Sequence, residues 1–300
     1  MSGWPERSAE AGWTAERIEG LEFSQLDRAD FDRLMDWAGH EGWNPGLYDR
    51  EAFWAQDPEG FRGLHVGGEL IAGGSVVNYD GTFGFMGFFI VRPEYRGLGV
   101  GRHLWYQRRD DLLARLDAGA AIGMDGVVAM QPFYIKGGFE KQFADIRHVR
   151  RGEPMELDSR VKDGTGDRAA LQAYDRSCFC FDRPRFLEAW TRQPDGRVFR
   201  FMEDGEIKGW AVLRMAESGR RIGPLFADSA EGGEALYRAC LNAAQGEDVH
   251  LDVPMTNREA VSLMERYGAE PQFECARMVH GRVPDWPIDR IYGVTSYELG

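Results

Sequence analysis

Residues 91–105 read VRPEYRGLGVGRHLW, and this stretch decides the fold expected for the first half of the chain. It joins a strongly apolar run, residues 83–91, to a run with helical spacing, residues 102–116. Every second residue from position 97 to position 101 is glycine, which has no Cβ to keep a ligand away from the backbone N–H groups. A helix that begins directly after such a loop points its free N–H groups and its positive dipole end at the same place. The stretch therefore predicts a strand, a phosphate-binding loop and a helix.

The glycine spacing separates three kinds of phosphate loop. An ATPase loop ends in Gly-Lys-Ser/Thr, whereas residues 101–103 are Gly-Arg-His. A dinucleotide loop has the spacing G-x-G-x-x-G, which glycines at 97, 99 and 101 do not match. The third kind, Arg/Gln-x-x-Gly-x-Gly/Ala, fits at every position from Arg96 to Gly101. With its Val-x-Pro-x-Tyr-Arg lead-in, the chain resembles the GNAT superfamily of acetyl-CoA-dependent N-acetyltransferases.

The resemblance covers roughly residues 21–150 and implies a mixed sheet whose fourth and fifth strands splay apart around the pantetheine arm of acetyl-CoA. It implies that the end of the fourth strand meets the pantetheine and that the glycine loop holds the pyrophosphate. The residues implied are Phe89, Ile90 and Val91 for the pantetheine, and Arg96, Gly97, Leu98, Gly99, Val100, Gly101 and Arg102 for the pyrophosphate.

Family members often carry a tyrosine four residues before the glycine of a Gly-Phe pair, and here that residue is Tyr134, before Gly138 and Phe139. The resemblance implies that Tyr134 protonates the departing thiolate; a buried core tyrosine is the alternative. Many members also place a glutamate on the fourth strand. The expected strand, residues 83–91, has no ionisable side chain, so the reaction needs another base, a water chain or a partly deprotonated substrate.

Amine attack on a thioester needs a group that takes the proton of the amine. Candidates are His40 and Glu41, in a loop that lines the acceptor entrance of GNAT folds, with Asp125 as a weaker candidate. Trp43 and Asn44 are expected to bound the acceptor pocket, where an aromatic ring beside acidic groups attracts a cation. Solvated loop residues without a catalytic role are the alternative interpretation for His40 and Glu41.

The second half of the chain repeats the first. Residues 136–149 align with residues 266–279 at an offset of 130, with Gly, Glu, Gln, Phe, Arg and Val identical. We therefore expect an α/β fold of two tandem GNAT-like domains, each a mixed, mostly antiparallel twisted sheet flanked by helices. The expected boundaries are a flexible N-terminus over residues 1–20, a catalytic domain over 21–150, a polar linker over 151–166 and a degenerate GNAT-like domain over 167–300.

The second copy lacks the phosphate loop. Its equivalent stretch, residues 222–233, carries Asp228 and Glu231, which would repel a pyrophosphate, so we expect a single cofactor site in the first half. Asp228, Asp252 and Asn257 are candidates for closing the acceptor pocket from the second half. Asp228 could instead stabilise a turn, and Asn257 could cap a helix at residues 258–267. A terminal strand over residues 292–299 is expected to complete the second sheet.

The whole chain also resembles a narrower bacterial group that pairs a GNAT domain with a second GNAT-like half. No settled acceptor follows from this resemblance. The stretches that carry it are GWNPG at 42–46, GPLFAD at 223–228, DVPMTN at 252–257 and IYGVTSYELG at 291–300.

Composition excludes several classes of function. The net charge of −13 argues against nucleic-acid binding and favours cationic partners such as amines. No apolar run approaches the roughly 20 residues of a membrane-spanning helix, and the N-terminus lacks a signal-peptide pattern. The cysteines, at 178, 180, 240 and 275, suit neither a disulfide scaffold nor a metal site. We expect a cytoplasmic protein with no metal and no nucleic-acid or membrane partner; a homodimer is left open.

These observations predict an acetyl-CoA-dependent N-acetyltransferase that acetylates a primary amine, expected to be a small cationic metabolite, by direct attack in a ternary complex. Two alternatives stay open. One is acetylation of a protein lysine or N-terminus, and the other is an acyl-CoA-binding sensor that has lost catalysis.

Overall fold

The computed structural model describes residues 18–300, so residues 1–17 of the predicted flexible N-terminus lie outside the described part. The first half forms six strands and four helices. Its strands are β1 (Leu21–Gln25), β2 (Phe61–Val66), β3 (Glu69–Tyr79), β4 (Phe83–Val91), β5 (Ala121–Val127) and β6 (Glu140–Arg151), and its helices are α1 (Arg28–His40), α2 (Asp49–Gln56), α3 (Val100–Arg115) and α4 (Gln131–Lys136).

The second half repeats this order. Its strands are β7 (Val161–Asp163), β8 (Arg197–Glu203), β9 (Glu206–Met215), β10 (Arg220–Ala227), β11 (Asp248–Pro254), β12 (Glu270–His280) and β13 (Ile291–Gly293), and its helices are α5 (Arg168–Phe179), α6 (Pro184–Trp190), α7 (Ala230–Ala243) and α8 (Arg258–Tyr267). The proposed linker, residues 151–166, contains β7, which pairs with β8. The domain boundaries therefore stay a proposal.

Local sequence explains the main elements. The Asp27 side chain accepts a hydrogen bond from Asp30 N and so caps α1. Phe31, Leu34 and Ala38 then follow at helical spacing and are buried. Strand β4 alternates little because both faces of the sheet are covered, and most of its side chains are buried.

All strands join one sheet with the order β1-β2-β3-β4-β5-β12-β6-β11-β10-β9-β8-β7, and β13 pairs with β10. The ladders β4–β5 and β10–β11 are parallel, and the other ladders between named strands of residues 18–300 are antiparallel. The predicted fold class, a mixed and mostly antiparallel sheet flanked by helices, is confirmed.

The two halves exchange their sixth strands. Strand β12 of the second half lies between β5 and β6, and β6 of the first half lies between β12 and β11. Because β6 and β12 are the strands that repeat at an offset of 130, each repeat of this strand completes the sheet of the other half. One continuous sheet is the result.

Two buried ion pairs repeat across this exchange. On β6, Arg147 Nε donates to Asp252 Oδ1 of β11 at 2.6 Å. On β12, Arg277 Nε donates to Asp125 Oδ1 of β5 at 2.7 Å. The aligned arginines therefore pair with the carboxylates of the opposite half, and all four side chains are at most 5% exposed.

The end of the chain differs from the predicted strand over residues 292–299. Only Ile291–Gly293 forms a strand, and the following residues enter the first half. The Tyr79 hydroxyl of β3 donates to Leu299 O at 2.7 Å, and Ser75 Oγ of the same strand lies 3.5 Å from Glu298 O. We call residues 294–300 the C-terminal segment; every residue in it is buried.

Candidate active site

An opening lies between β4 and β5 in the first half. These parallel strands pair only where residues 83–85 face residues 121–123, and beyond that point they diverge. The register between β3 and β4 shifts at Gly73 and Ser75, and Phe88 adopts a left-handed φ of 50°. A bulge in β4 therefore marks the point where the strand turns away from its neighbours.

Two adjoining cavities occupy this opening. The outer groove, about 530 Å³, runs from the end of β4 to the start of α3. The inner cavity, about 70 Å³, lies deeper between the two halves. Trp43, Phe89, Val127 and Met130 line both cavities, so the outer groove leads into the inner cavity.

The glycine loop has the geometry of an anion site. Gly97 and Gly99 have φ values of 78° and 80°, which side chains rarely allow. Helix α3 begins at Val100 with Gly99 as its N-cap, and no side chain from residues 18–300 caps it by a hydrogen bond. A Cβ on Gly97 would meet no atom of residues 18–300 within 4 Å, so these residues leave room beside the helix N-terminus. These residues fit a pyrophosphate.

Seven of the ten predicted cofactor residues line the outer groove: Phe89, Ile90, Val91, Arg96, Gly97, Gly101 and Arg102. Gly101 packs α3 tightly onto β4, because a Cβ there would lie 3.4 Å from Phe89 and Val91. Of the other three, Leu98 is exposed and Val100 is buried in the core, while Gly99 caps α3. A role for these three in binding stays a prediction and would act through their backbone.

Glu41 lies at the outer groove rather than at the inner cavity. Its carboxylate forms an ion pair with Arg96 of the glycine loop, and Arg96 Nε also donates to Val91 O at 2.8 Å. The pair holds Arg96 beside the groove. A carboxylate engaged in this way is poorly suited to be the base, so we leave Glu41 out of the proposed chemistry.

The structure separates the other residues predicted near the acceptor. His40, the last residue of α1, is exposed and is not among the described lining residues of either cavity. Trp43 lines both cavities, as expected for a pocket wall. The Asn44 side chain instead binds the backbone of Ser218 in the second half, at 3.0 and 2.8 Å. Asn44 therefore ties the halves together at the edge of the site.

Tyr134 of α4 lines the inner cavity and packs against Trp105 with ring centroids 5.2 Å apart. It is 6% exposed, and burial raises the pKa of its hydroxyl. The hydroxyl therefore stays protonated at neutral pH and can donate a proton. This arrangement is compatible with the predicted acid.

Arg108 was missed by sequence reasoning. It lies on the buried face of α3 and lines the inner cavity. Its Nη2 donates to Gly87 O at 2.7 Å and to Ser75 O, while Nε and Nη1 have no hydrogen-bond partner in the described chain. Burial lowers its pKa to about 10. The sequence feature that could have identified Arg108 is its spacing of four residues from Leu104 and Leu112, which places it on the same helix face.

The second half closes the inner cavity with residues that the sequence did not single out. They are Phe273 and Cys275 of β12 and Tyr297 and Glu298 of the C-terminal segment. Burial raises the pKa of the Glu298 carboxyl. Local sequence patterns could not predict that these residues line the cavity, because β12 reaches the first half through the strand exchange.

The three polar residues predicted for this wall have other partners. Asp228 accepts from Tyr174 OH at 2.8 Å and from Arg290 Nε at 2.7 Å. Asp252 is held by Arg147 and Arg221, which keep the pKa of its carboxyl below the usual range despite burial. Asn257 caps α8 through Ala260 N. None of the three is among the described lining residues of either cavity, so we leave Asp228 out of the acceptor site.

The described residues hold no group of three or more His, Cys, Asp and Glu side chains arranged to bind a metal ion. Within the same residues, no helix combines the length and apolar character needed to cross a membrane.

Family comparisons match both halves. The family model described as Acetyltransferase (GNAT) family matches residues 23–139. The model described as Acetyltransferase (GNAT) domain matches residues 171–293. Together the two matches span both copies of the repeat.

Comparison with curated proteins finds a relative of similar length. Holothin acyltransferase from Pseudoalteromonas sp. (strain SANK 73390) is 29% identical over 270 residues, which cover 89% of this chain and 90% of that protein.

Solved structures share the fold. A candidate acetyltransferase from Pyrococcus horikoshii superposes with a TM-score of 0.81 at 20% identity, covering 94% of this chain and 96% of that one. A tandem GNAT protein from the clavulanic acid biosynthesis pathway superposes with a TM-score of 0.60 at 13% identity, covering 88% and 99%. At these identities the likeness shows the fold alone. The two family matches together show that the chain belongs to the GNAT superfamily of acyltransferases and consists of two GNAT-like domains.

Proposed function

We propose that the protein is an acetyl-CoA-dependent N-acetyltransferase that acetylates a primary amine of a small cationic metabolite. The observation that carries the proposal is the opening between β4 and β5, which runs from the glycine loop to the small inner cavity. The acyltransferase relative at 29% identity supports acyl transfer as the reaction class. The four free cysteines support a cytoplasmic location.

In this proposal the glycine loop and the N-terminus of α3 bind the pyrophosphate of the donor, with Arg96 and Arg102 adding positive charge. The end of β4 beside the outer groove, Phe89 to Val91, receives the pantetheine arm. The donor supplies an acetyl thioester, whose carbonyl carbon the amine attacks.

Two residues of the inner cavity serve the leaving group. The Tyr134 hydroxyl donates a proton to the departing sulfur, which its raised pKa allows because the phenol is protonated at neutral pH. Arg108 favours negative charge at Tyr134 and so lowers the cost of this transfer. The buried guanidinium thus supports chemistry in which charge moves towards sulfur.

The small volume of the inner cavity, about 70 Å³, favours a small acceptor over a protein. Trp43 of the first half and Phe273 and Tyr297 of the second surround it. Aromatic rings beside the Glu298 carboxylate suit a cationic amine. Acetylation of a protein lysine would need a long side chain to pass between both halves.

Thiol release from acetyl-CoA tests the proposal. The full chain is incubated with acetyl-CoA and tyramine, histamine, putrescine or a lysine-containing peptide, and acetylated product is identified by mass spectrometry. We expect turnover above the amine-free rate with at least one small amine. Faster turnover with the peptide would favour protein acetylation. Acetyl-CoA binding without product from any amine would favour the sensor alternative.

A further inference from the structure

The first-half carboxylates that line the two cavities are already engaged in ion pairs. Strand β4 has no ionisable side chain. Asp125 lines the cavity, but Arg277 holds both of its oxygens at 2.7 and 2.9 Å. Glu41 is paired with Arg96 in the outer groove. Asp145 of β6 is buried with both oxygens unpartnered among the described residues, but it is not a lining residue of the cavity. Of the carboxylates that line either cavity, this leaves Glu298 of the C-terminal segment.

The C-terminal segment lies directly against β4 where the strand reaches the cavity. A Cβ on Gly87 would lie 2.1 Å from Glu298 O, so no side chain can extend from position 87 in this arrangement. Ser75 Oγ accepts from Gly87 N at 2.9 Å and lies beside the same Glu298 carbonyl. The segment thus takes the space that a side chain of β4 would fill, and it brings its own carboxylate to the cavity wall.

The Glu298 carboxylate is buried and only partly engaged. The residue is 4% exposed, and Oε2 has no hydrogen-bond partner among the described residues. Oε1 lies 3.9 Å from Arg221 Nη1, but Arg221 already binds Asp252. Leaving a buried carboxylate oxygen without a donor is costly. A ligand that donates a hydrogen bond in the cavity would remove that cost.

The charged groups that act on the Glu298 carboxyl are Arg221 of β10, Arg147 of β6, Arg214 of β9 and Asp49 of α2. Arg108 of α3 and Asp125 of β5 line the same cavity. Arg147 is held by Asp252, and Arg214 Nε donates to Asp49 at 2.8 Å. The arginines therefore have other carboxylates to neutralise. Burial outweighs their effect and raises the pKa of Glu298, which moves a carboxyl towards the range where it accepts a proton at neutral pH.

We propose that Glu298, supplied by the second half, is the catalytic base of the first half and takes the proton of the acceptor amine. This inference rests on the proposed function. The second half is then part of the catalytic machinery rather than a passive duplicate.

The proton balance is complete with residues already described. Glu298 Oε2 takes one proton from the ammonium group, which leaves a lone pair on nitrogen. The lone pair attacks the carbonyl carbon, and the carbon–sulfur bond breaks with its electrons on sulfur. Tyr134 gives the sulfur a proton and regains one from nitrogen. Glu298 then loses its proton to water, so the products are an amide, a thiol and one proton.

The test compares Glu298→Gln with Glu274→Gln, using acetyl-CoA and the fastest small amine of the panel. Glu274 lies on β12 between two cavity residues, but it is exposed and close to Lys141. We expect Glu298→Gln to lower kcat at pH 7 by about 100-fold or more. Acetyl-CoA affinity should stay within about twofold, and Glu274→Gln should behave like the unmodified protein.

The pH profile separates a base from a structural residue. Activity of the unmodified protein should rise with pH as Glu298 loses its proton, above the ordinary range of a glutamate. The deficit of Glu298→Gln should shrink at alkaline pH, because the amine then arrives deprotonated. A deficit that is constant with pH, or no deficit, overturns the proposal. If Glu298→Gln does not fold, Glu298→Asp replaces it. A lowered kcat with the pH-dependent rise retained supports the base, and an unchanged kcat overturns it.

The two proposals fail differently. If the unmodified protein transfers no acetyl group to any amine, the proposed function fails and the role of Glu298 fails with it. If the unmodified protein is active and Glu298→Gln matches it at every pH, only the role of Glu298 fails.

Discussion

The two halves differ in the space beside their pair of parallel strands, which is open in the first half and filled in the second. In the first half, β4 and β5 pair over three residues and then diverge around an open groove. In the second half, β10 and β11 also pair over three residues, but β13 enters the space between them. Leu225 of β10 pairs with Gly293, and Val294 N donates to Asp252 O of β11 at 2.9 Å. The chain itself fills the opening that the first half keeps for a ligand.

The loops that follow these strands differ in the same sense. Residues 92–99 connect β4 to α3, whereas only residues 228–229 connect β10 to α7. Helix α3 starts at a glycine without a side-chain cap, while Ser229 Oγ accepts from Gly232 N at 3.1 Å at the start of α7. A helix whose first N–H groups are already satisfied offers little to phosphate. The comparison teaches that the first half leaves the groove open, whereas in the second half the chain itself occupies the corresponding positions.

The largest expected effect concerns the support between the halves. Asp252 and Asp248 both lie on β11 and face Arg147 and Arg151 of β6, one pair buried and the other exposed. Asp252→Asn leaves buried arginine charge uncompensated and should lower the free energy of unfolding by about 3–5 kcal/mol. Asp248→Asn should cost about 1 kcal/mol or less. Urea unfolding measures the free energy of unfolding of both variants. Equal losses would contradict the claim that the buried ion pairs stabilise the contact between the two halves.

The next effect concerns donor binding. Gly97 and Gly205 have nearly the same φ, 78° and 80°, and a Cβ on either would meet no atom of the described residues within 4 Å. Only Gly97 lies at the groove. Gly97→Asp should weaken acetyl-CoA binding by about 100-fold, or about 2.7 kcal/mol, because its carboxylate faces the pyrophosphate. Gly205→Asp introduces the same backbone strain away from the groove, so it should bind acetyl-CoA with the affinity of the unmodified protein. Isothermal titration calorimetry measures the affinity of both variants for acetyl-CoA. Similar affinities would refute the assignment of the pyrophosphate site to the glycine loop.

The smallest effect concerns the cap that distinguishes α7. Ser229→Ala should destabilise the protein by about 1 kcal/mol, whereas Ser229→Asp keeps a capping oxygen and should be nearly neutral. Neither variant should gain a second acetyl-CoA site, since β13 still occupies the opening. Thermal unfolding with and without acetyl-CoA checks this. An extra binding site in Ser229→Ala would show that the cap alone suppresses binding.

Much of the first half could be predicted because its signals are local. Strand β4 has the bounds that the apolar run over residues 83–91 predicts. The glycine loop was recognised by its spacing. The repeat at an offset of 130 predicted the duplication because β6 and β12 keep the same pattern.

The rest depends on contacts between distant residues. Because β6 and β12 have similar patterns, the sequence predicts two strands without saying which neighbour each one takes. The sequence predicted a strand over residues 292–299, but beyond Gly293 the C-terminal segment contacts Tyr79 and Ser75, more than two hundred residues away, instead of pairing as a strand. Glu298 was missed for this reason. The contact between Asp228 and Arg290, 62 positions further along the chain, could not be read from local sequence either.

The stoichiometry of acetyl-CoA binding tests the central claim most directly. The account predicts one site per chain by isothermal titration calorimetry of the full protein, and loss of that site in Gly97→Asp. Two sites per chain, or one site that Gly97→Asp leaves unchanged, would contradict the assignment of binding to the first half and support to the second.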